Sequence, residues 1–462
     1  MNPRSDLSWF LVLLLSLAVF LPGLGAYPLL DPDEGRNAQV ALEAVRDGHW
    51  LPPTLNGQVR YQKPPLYYWM VASSFLALGP GETSARLPSA LAALLGVLVV
   101  FFMGEALWGR EKGLLAATII ATTFIYALYS HIVIFDMVLT FFIVASLLFA
   151  WRGLEEEKKR AWNLASFFMA LAFLTKGPVG VLIPAMALFP LITYRALIDR
   201  ERLSIPILVP LAIFLIVTVP PFILLEMKSP GYCYHFFWKE NVVRYLEPVF
   251  HREAPPYFYL IIILLGFLPW TFLLPRALAR LGELGRLYPH RTIFLASWII
   301  LPTLFFSLAK AKMPHYILPT FPAWALLLAG TWKEEGFPKK ILAYSLALYL
   351  VLFLIVMPIH YSPKKSAAFA VHLMVKKGNT PIYTYKAGRT YSLAFYSGRK
   401  ITNFQNLKEL EKTLESVGEA YIFTKKNKLD SIQPLEDRYS VSILGTTSKY
   451  ALLLVKKAPT KP

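Results

Sequence analysis

The sequence predicts an α-helical polytopic membrane protein with about 11–13 transmembrane helices, followed by a small soluble α/β domain. Three observations carry this. The 462 residues are 56% hydrophobic and only 16% charged, with a mean hydropathy of +0.47, too apolar for a soluble protein. Apolar stretches close to bilayer length recur along most of the chain, separated by short polar interruptions. From about Pro363 the hydrophobicity falls and short alternating runs take over.

Taken in order, the apolar stretches predict spans near residues 8–29, 85–103, 113–130, 137–151, 161–175, 178–194, 205–225, 257–275, 291–309, 316–332 and 341–359. Residues 65–78 are apolar but short and rich in Tyr and Trp, which suits an interfacial or re-entrant helix as well as a span. The first stretch also resembles a signal peptide with a cleavage site near Gly23-Leu24-Gly25-Ala26, but its length and the spans that follow favour a retained helix. Arg4 and the cations in alternate short loops, among them Arg110, Lys112, Arg152, Lys158, Arg195, Arg276, Arg280, Lys339 and Lys340, place the N-terminus in the cytoplasm. An odd number of spans then puts the C-terminal domain outside, together with the two longest loops, 30–66 and 226–256. The domain organisation expected is a membrane domain over 1–360 carrying those loops and an extracytoplasmic α/β domain over 361–462.

In that last domain Ile382-Tyr383-Thr384-Tyr385, Ala420-Tyr421-Ile422-Phe423 and Ala451-Leu452-Leu453-Leu454-Val455 read as strands, and Leu407–Val417 has helical spacing. The segment has no nucleotide fingerprint. Residues 360–462 hold 18 Lys+Arg against 7 Asp+Glu, which is +11 of the chain's formal +18. A basic domain beside a membrane faces anionic headgroups or phosphorylated substrate rather than nucleic acid, so no nucleic-acid partner is expected. The single cysteine, Cys233, excludes an intrachain disulfide.

The loops expected outside hold most of the unusual polar residues. The first carries Asp31-Pro32-Asp33-Glu34-Gly35-Arg36 directly after the first span and ends in Arg60-Tyr61-Gln62-Lys63-Pro64-Pro65. Others hold His131 and Asp136, then Thr175-Lys176-Gly177-Pro178, then Trp238-Lys239-Glu240-Asn241 with Arg244 and His251, and finally Lys310-Ala311-Lys312-Met313-Pro314-His315-Tyr316. Cations suit a phosphate, carboxylates suit the alignment or deprotonation of an acceptor, and aromatics suit a sugar ring or a lipid chain. Each has a plainer reading too. A carboxylate after a span is often a solvated cap, Lys63 and Lys176 could snorkel, and His315 could be one hydrogen-bonded residue at a helix end. Asp136 is harder to explain away, because it interrupts the apolar run Ile132-Val133-Ile134-Phe135 and Met137-Val138-Leu139.

Four strings in order, Asp33-Glu34-Gly35-Arg36, Tyr61-Gln62-Lys63-Pro64-Pro65-Leu66-Tyr67-Tyr68-Trp69, Phe173-Leu174-Thr175-Lys176-Gly177-Pro178 and Lys312-Met313-Pro314-His315-Tyr316-Ile317-Leu318-Pro319, carry a resemblance. The chain resembles the bacterial membrane glycosyltransferases related to aminoarabinose lipid A transferase and, more distantly, the protein O-mannosyltransferases, over about residues 1–330. The resemblance implies a GT-C-type enzyme that takes a sugar from a polyprenyl-phosphate carrier on the extracytoplasmic side of the bacterial inner membrane and inverts the anomeric centre. Lipid A or another envelope glycolipid would be the acceptor, and the enzyme would act as a monomer among membrane lipids. It further implies Asp33, Asp136 and Glu34 as catalytic acids. Arg36, Lys63, Lys176, Arg244, Lys312, His315 and Tyr316 would contact the donor phosphate, and Arg60, Tyr61 and His251 the acceptor. Gln62 and Asn241 stand where the aminoarabinose enzymes are expected to carry an acid and a histidine, so no metal and no other cofactor is expected.

For an acceptor hydroxyl, Asp33 is the natural general base; an acceptor phosphate is already anionic and the carboxylate would only orient it. Protein O-mannosyl-type transfer is the alternative within the class. A secondary transporter or flippase is the alternative outside it, but that needs polar residues deep within spans and access from both faces.

Overall fold

The computed structural model describes residues 3–247, 254–333, 339–362, 366–374 and 380–457. His251 lies outside them. Six helices are long and apolar enough to cross a membrane: Glu82–Trp108, Phe135–Glu155, Val179–Leu197, Leu208–Lys228, Pro289–Leu308 and Lys340–His360. Two broken pairs, Arg110–Ala121 with Phe124–Ser130 and Phe258–Gly266 with Trp270–Ala279, bring the number to as many as eight among the described residues. The other stretches expected to span are also helical but shorter or more polar. Pro3–Phe20 is 18 residues long and opens on the polar Arg4-Ser5-Asp6, Lys159–Lys176 is less hydrophobic, and 316–332 divides into a 3-10 turn, Pro314–Thr320, and the short helix Phe321–Thr331. The protein is a multi-pass membrane protein.

The chain divides into two compact units, one of residues 1–22, 61–70 and 86–351, the other of 23–60, 71–85 and 352–462. This division cuts across the expected boundary at 360/361, since most of the first long loop belongs with the C-terminal residues.

In the first unit, the helices Phe135–Glu155 and Lys159–Lys176 are joined by a short turn and pack against each other. Ser146 Oγ donates to the Ala165 carbonyl (2.8 Å) and Phe149 stacks on Phe168 at 5.6 Å. Gly177, at φ +85°, ends the second of these helices and Pro178 precedes the next, so the chain reverses directly after Lys176. The 62° break after Ala121 is held by polar partners, as a backbone interruption inside a membrane requires. Trp270 Nε1 donates to Thr122 Oγ1 (3.0 Å) and the Tyr349 hydroxyl donates to the Thr122 carbonyl (2.8 Å).

The second unit is built on a five-stranded sheet. The strands of this unit are β1 (Thr54–Leu55), β2 (Gln58–Val59), β3 (Ile382–Tyr385), β4 (Thr402–Phe404), β5 (Glu419–Lys425), β6 (Tyr439–Thr446) and β7 (Tyr450–Lys457). The sheet order is β4-β3-β5-β7-β6, with β4, β3 and β5 parallel and β7 antiparallel to both its neighbours. Strand alternation makes two apolar faces. Tyr383, Tyr385, Ile422 and Leu453 share one with Leu410 and Leu414 of the helix Leu407–Val417, while Ile382, Tyr421, Phe423 and Leu452 share the other with Leu393.

The opening acidic run belongs to this unit through contacts distant in sequence. Asp31 accepts hydrogen bonds from the Ser392 backbone N–H (2.9 Å) and hydroxyl, at the start of the helix Tyr391–Ser397. The Tyr396 hydroxyl accepts from the Leu29 N–H (2.7 Å) and donates to Glu82 (2.8 Å). Glu43, fully buried in the helix Asp33–Arg46, holds the β1–β2 hairpin, accepting from Thr54 Oγ1 (2.6 Å), Asn56 N (2.6 Å) and Gly57 N (3.1 Å). Asn56 and Gly57 both have positive φ, the geometry of a tight hairpin turn.

Candidate active site

The most chemically loaded place in the first unit lies where the helices Phe135–Glu155 and Lys159–Lys176 end. Asp136 sits in the first turn of the former and Lys176 in the last turn of the latter. Each charge complements the partial charge of its own helix terminus. Lys176 Nζ donates to Asp136 Oδ1 in a buried ion pair, the acid's side chain being 2% exposed and the lysine's 12%. His315 Nε2 approaches the other carboxylate oxygen at 3.8 Å. The Lys176 ammonium lies 4.8 Å from the centre of the Tyr316 ring, a cation–π contact.

Beside this pair is a cavity of about 360 Å³. Its polar wall is made by Lys63, Lys176, Glu240, Asn241, Arg244 and Tyr316. Its apolar wall is made by Leu139, Val179, Leu182, Ile183, Phe305 and Phe306 from three spanning helices, with Phe237, Val242 and Leu246. Arg244 is aimed by two partners, donating to Glu240 (3.1 Å) and to the Tyr316 hydroxyl (3.1 Å). Three cations therefore share the space with Glu240 and with Asp136 behind Lys176. Burial, together with the positive charges of Arg244 and Lys176, pushes the Lys63 ammonium down to about 7. Such a lysine is poised to gain from an incoming anion. A cavity with cations at one side and hydrocarbon at the other has the chemistry of a lipid-phosphate receptor.

The residues opposite Lys63 arrive on an unusual element. The π-helix Tyr234–Val243 runs into the short helix Arg244–Leu246, and its wide turns carry Glu240, Asn241 and Arg244 into the cavity wall. Asn241 donates to the Phe236 carbonyl (2.7 Å) within that element. Glu240 lies in the run Trp238-Lys239-Glu240-Asn241 but is not among the site residues expected from the sequence. An acid four positions before an arginine is a signal that can be read, though a π-helical register is not.

The expected site residues divide between the two units. Lys63, Asp136, Lys176, Arg244, His315 and Tyr316 come together as described. Tyr61 packs against Tyr232 (5.7 Å) and His235 (5.3 Å) beside Lys63. Lys312 does not line the cavity; its ammonium donates to the Ala309 carbonyl (2.8 Å) just beyond the helix Pro289–Leu308. Asp33, Glu34, Arg36 and Arg60 belong to the second unit. Asp33 pairs with Arg36 one helical turn on, its side chain 34% exposed, and Arg36 lies 6.0 Å from the Tyr391 ring. Glu34 accepts from the Leu30 N–H (2.9 Å), and Arg60 is buried.

Among the described residues, two groups have the spacing of cation ligands, Glu43 with Asp47 and His49, and Asp199 with Glu201 and His290. Their acids are already engaged. Both Glu43 oxygens accept hydrogen bonds, Asp47 chelates Arg46, Glu201 pairs with Arg195 and Asp199 with His290.

Residues 62–224 match the dolichyl-phosphate-mannose-protein mannosyltransferase family. The undecaprenyl phosphate-alpha-4-amino-4-deoxy-L-arabinose arabinosyl transferase of Edwardsiella ictaluri is 32% identical over 330 residues, 70% of this chain and 59% of the relative. The enzyme of the same name from Aeromonas hydrophila is 31% identical over 395 residues, 80% of this chain and 70% of the relative. The chain thus spans from about three fifths to 70% of the length of these relatives. Among solved structures, ArnT from Cupriavidus metallidurans bound to undecaprenyl phosphate superposes with a TM-score of 0.83 at 20% identity, covering 96% of this chain and 97% of that one. The oligosaccharyltransferase AglB of Archaeoglobus fulgidus superposes with a TM-score of 0.60 at 11% identity, covering 97% and 74%. With its GT-C fold and its 31% identity over 70% of a relative's length, the chain belongs to the family of the undecaprenyl-phosphate aminoarabinose arabinosyl transferases, GT-C-type membrane glycosyltransferases.

Proposed function

We propose that the protein transfers a sugar from a polyprenyl-phosphate donor to lipid A or another envelope glycolipid, on the extracytoplasmic face of the bacterial inner membrane. The observation that carries the reading is the cavity itself, with Lys63, Lys176 and Arg244 on its polar wall and three apolar helices on the other. The relatives' names, which specify an undecaprenyl-phosphate donor, support it.

In this reaction an acceptor oxygen forms a bond to C1 of the sugar as the bond from C1 to the phosphate oxygen breaks, with inversion. The phosphate passes from a singly charged diester towards a doubly charged monoester. Cations around it therefore bind the transition state more tightly than the donor. Lys63 and Arg244 take the phosphate. Lys176, held by Asp136 and faced by Tyr316, adds charge from a fixed position, with His315 as a further support for Asp136. Asp33 is assigned to the acceptor on its motif match, with Glu34 and Arg36 beside it, and Arg60 and Tyr61 are assigned to acceptor contacts on the same basis. The enzyme acts as a monomer, and the positive C-terminal residues favour a phosphorylated acceptor.

Mass spectrometry of lipid A and envelope glycans from cells with and without the intact protein tests the reading. The expected result is a sugar substituent that disappears with the protein. Unchanged lipid A and glycans would overturn it. A sugar lost from envelope proteins alone would favour protein O-glycosylation, the acceptor class named by the family that matches residues 62–224.

A further inference from the structure

The turn that carries Lys63 follows the small β1–β2 hairpin and runs into Pro64 and Pro65. Within the first unit it is held by Tyr232, a side chain with no exposed surface, whose hydroxyl donates to the Lys63 carbonyl at 2.7 Å. Tyr61, two residues earlier, lays its ring against the same tyrosine. Tyr232 also begins an unbroken helical run over 232–246 that contains the π-helix and ends with Arg244.

One hydrogen bond therefore joins the backbone under Lys63 to the rigid segment that bears Arg244. We propose that Tyr232 is the positioning residue of the anion site: its hydroxyl fixes the Lys63 turn to the Arg244 helix so that both cations meet the same phosphate. Tyr232 is not among the residues that line the cavity, so it acts through Lys63. The inference rests on the reading of the cavity as a lipid-phosphate site. A preorganised pair of cations gives more to binding than the same two charges on independently moving segments, because the cost of ordering them has already been met in folding.

The test is a double-mutant cycle on the full chain in nanodiscs, reading the binding of undecaprenyl phosphate. Tyr232→Phe removes one hydroxyl and keeps the ring. It is expected to weaken binding roughly fivefold, the worth of a single hydrogen bond of about 1 kcal/mol, with at most a small drop in the unfolding midpoint. In the Lys63→Ala background the same change is expected to do nothing further, since the group it positions is gone. A merely structural tyrosine would weaken both backgrounds alike. If Tyr232→Phe does not survive extraction, the cycle is read in membrane vesicles, with the folded fraction set by limited proteolysis.

The failures are separable. If Lys63→Ala and Arg244→Ala bind undecaprenyl phosphate as well as the unaltered protein, the lipid-phosphate reading falls. If they weaken binding but Tyr232→Phe does not, or costs the same with and without Lys63, the positioning role falls and the cavity reading stands.

Discussion

Lys176 and Asp136 are joined in a buried ion pair whose partners come from the facing ends of two packed helices. Removing one member leaves the other buried and uncompensated, at a cost of about 3–5 kcal/mol. Asp136→Ala and Lys176→Met should therefore each lower the unfolding midpoint by several degrees. The double variant Asp136→Leu with Lys176→Met should lie closer to the unaltered protein than either single change. Single variants with unchanged midpoints would show that the pair is not desolvated.

Lys63 gives the binding site a pH dependence with a definite sign. Its ammonium titrates near 7 when the cavity is empty, because burial and the Arg244 and Lys176 charges disfavour the proton. A bound phosphate favours the protonated amine, so binding takes up a proton in the pH window above about 7 and below the raised value of the bound state. The affinity for a phosphodiester analogue of the donor, whose own charge is constant, should be flat below that pH. Above it the affinity should fall, with a limiting slope of about tenfold per pH unit. Calorimetry in buffers of different ionisation enthalpy measures the uptake. Lys63→Gln should abolish both the uptake and the slope, and a slope that survives this change belongs to another group.

Much of the architecture was legible where it depends on local pattern. Leu407–Val417 could be bounded because Leu410 and Leu414 repeat at helical spacing, and its ends are marked by Asn406, whose side chain accepts from the Lys408 N–H, and by Gly418 at φ +73°. The pairing of Asp136 with Lys176 was half legible: two lone charges in apolar runs need partners, but nothing in either run says which. What was hidden depends on contacts far apart in sequence. Asp31 finds Ser392 across 361 residues, and so the first loop belongs with the C-terminal unit. The π-helical register that turns Glu240 and Arg244 into one wall has no periodicity signal at all. Asn56-Gly57, by contrast, is a hairpin signal that the reading of 30–66 as a plain loop passed over.

Gly177 is the hinge that lets Lys176 end its helix. Its φ of +85° is costly for any other residue, and a Cβ there would fall well inside contact distance of Phe236 Cζ. Gly177→Ala should destabilise the protein by about 1–2 kcal/mol from the backbone alone. It should also weaken donor binding, because Phe236 lies in the π-helix that carries Arg244. Adding Phe236→Leu should recover part of the binding and none of the backbone strain. Full recovery of both would place the whole effect in the side-chain clash.

Asp31 predicts a local stability change opposite to that of an ordinary paired acid. Burial raises its carboxyl to about 6, against the lowering effect of its bonds to Ser392. The folded state therefore holds a proton more tightly than the unfolded one. That contribution is complete below the unfolded value near 3.8 and is lost as pH rises through about 6. Amide exchange over residues 391–397, corrected for intrinsic rates, should show greater protection at about pH 5 than at about pH 7. Asp31→Ala should remove the difference and speed exchange at both, since the helix start loses its acceptor.

The variant Asp33→Asn tests which kind of acceptor the proposed reaction uses. Arg36, the partner of Asp33, lies one turn away on the same helix, so Asp33→Asn leaves the helix charge-balanced to within one unit and adds no bulk. If the acceptor is a sugar hydroxyl, its proton must leave as the new bond to C1 forms, and an amide cannot take it. Turnover should then fall by about 100-fold or more, the usual worth of a general base, while binding of undecaprenyl phosphate stays within about twofold, because that binding is assigned to other residues. If the acceptor is a phosphate group, it arrives ionised and the variant should retain most of its turnover. Measuring both quantities on one preparation separates the cases. Loss of donor binding in Asp33→Asn would contradict both, and would move Asp33 from the acceptor to the donor.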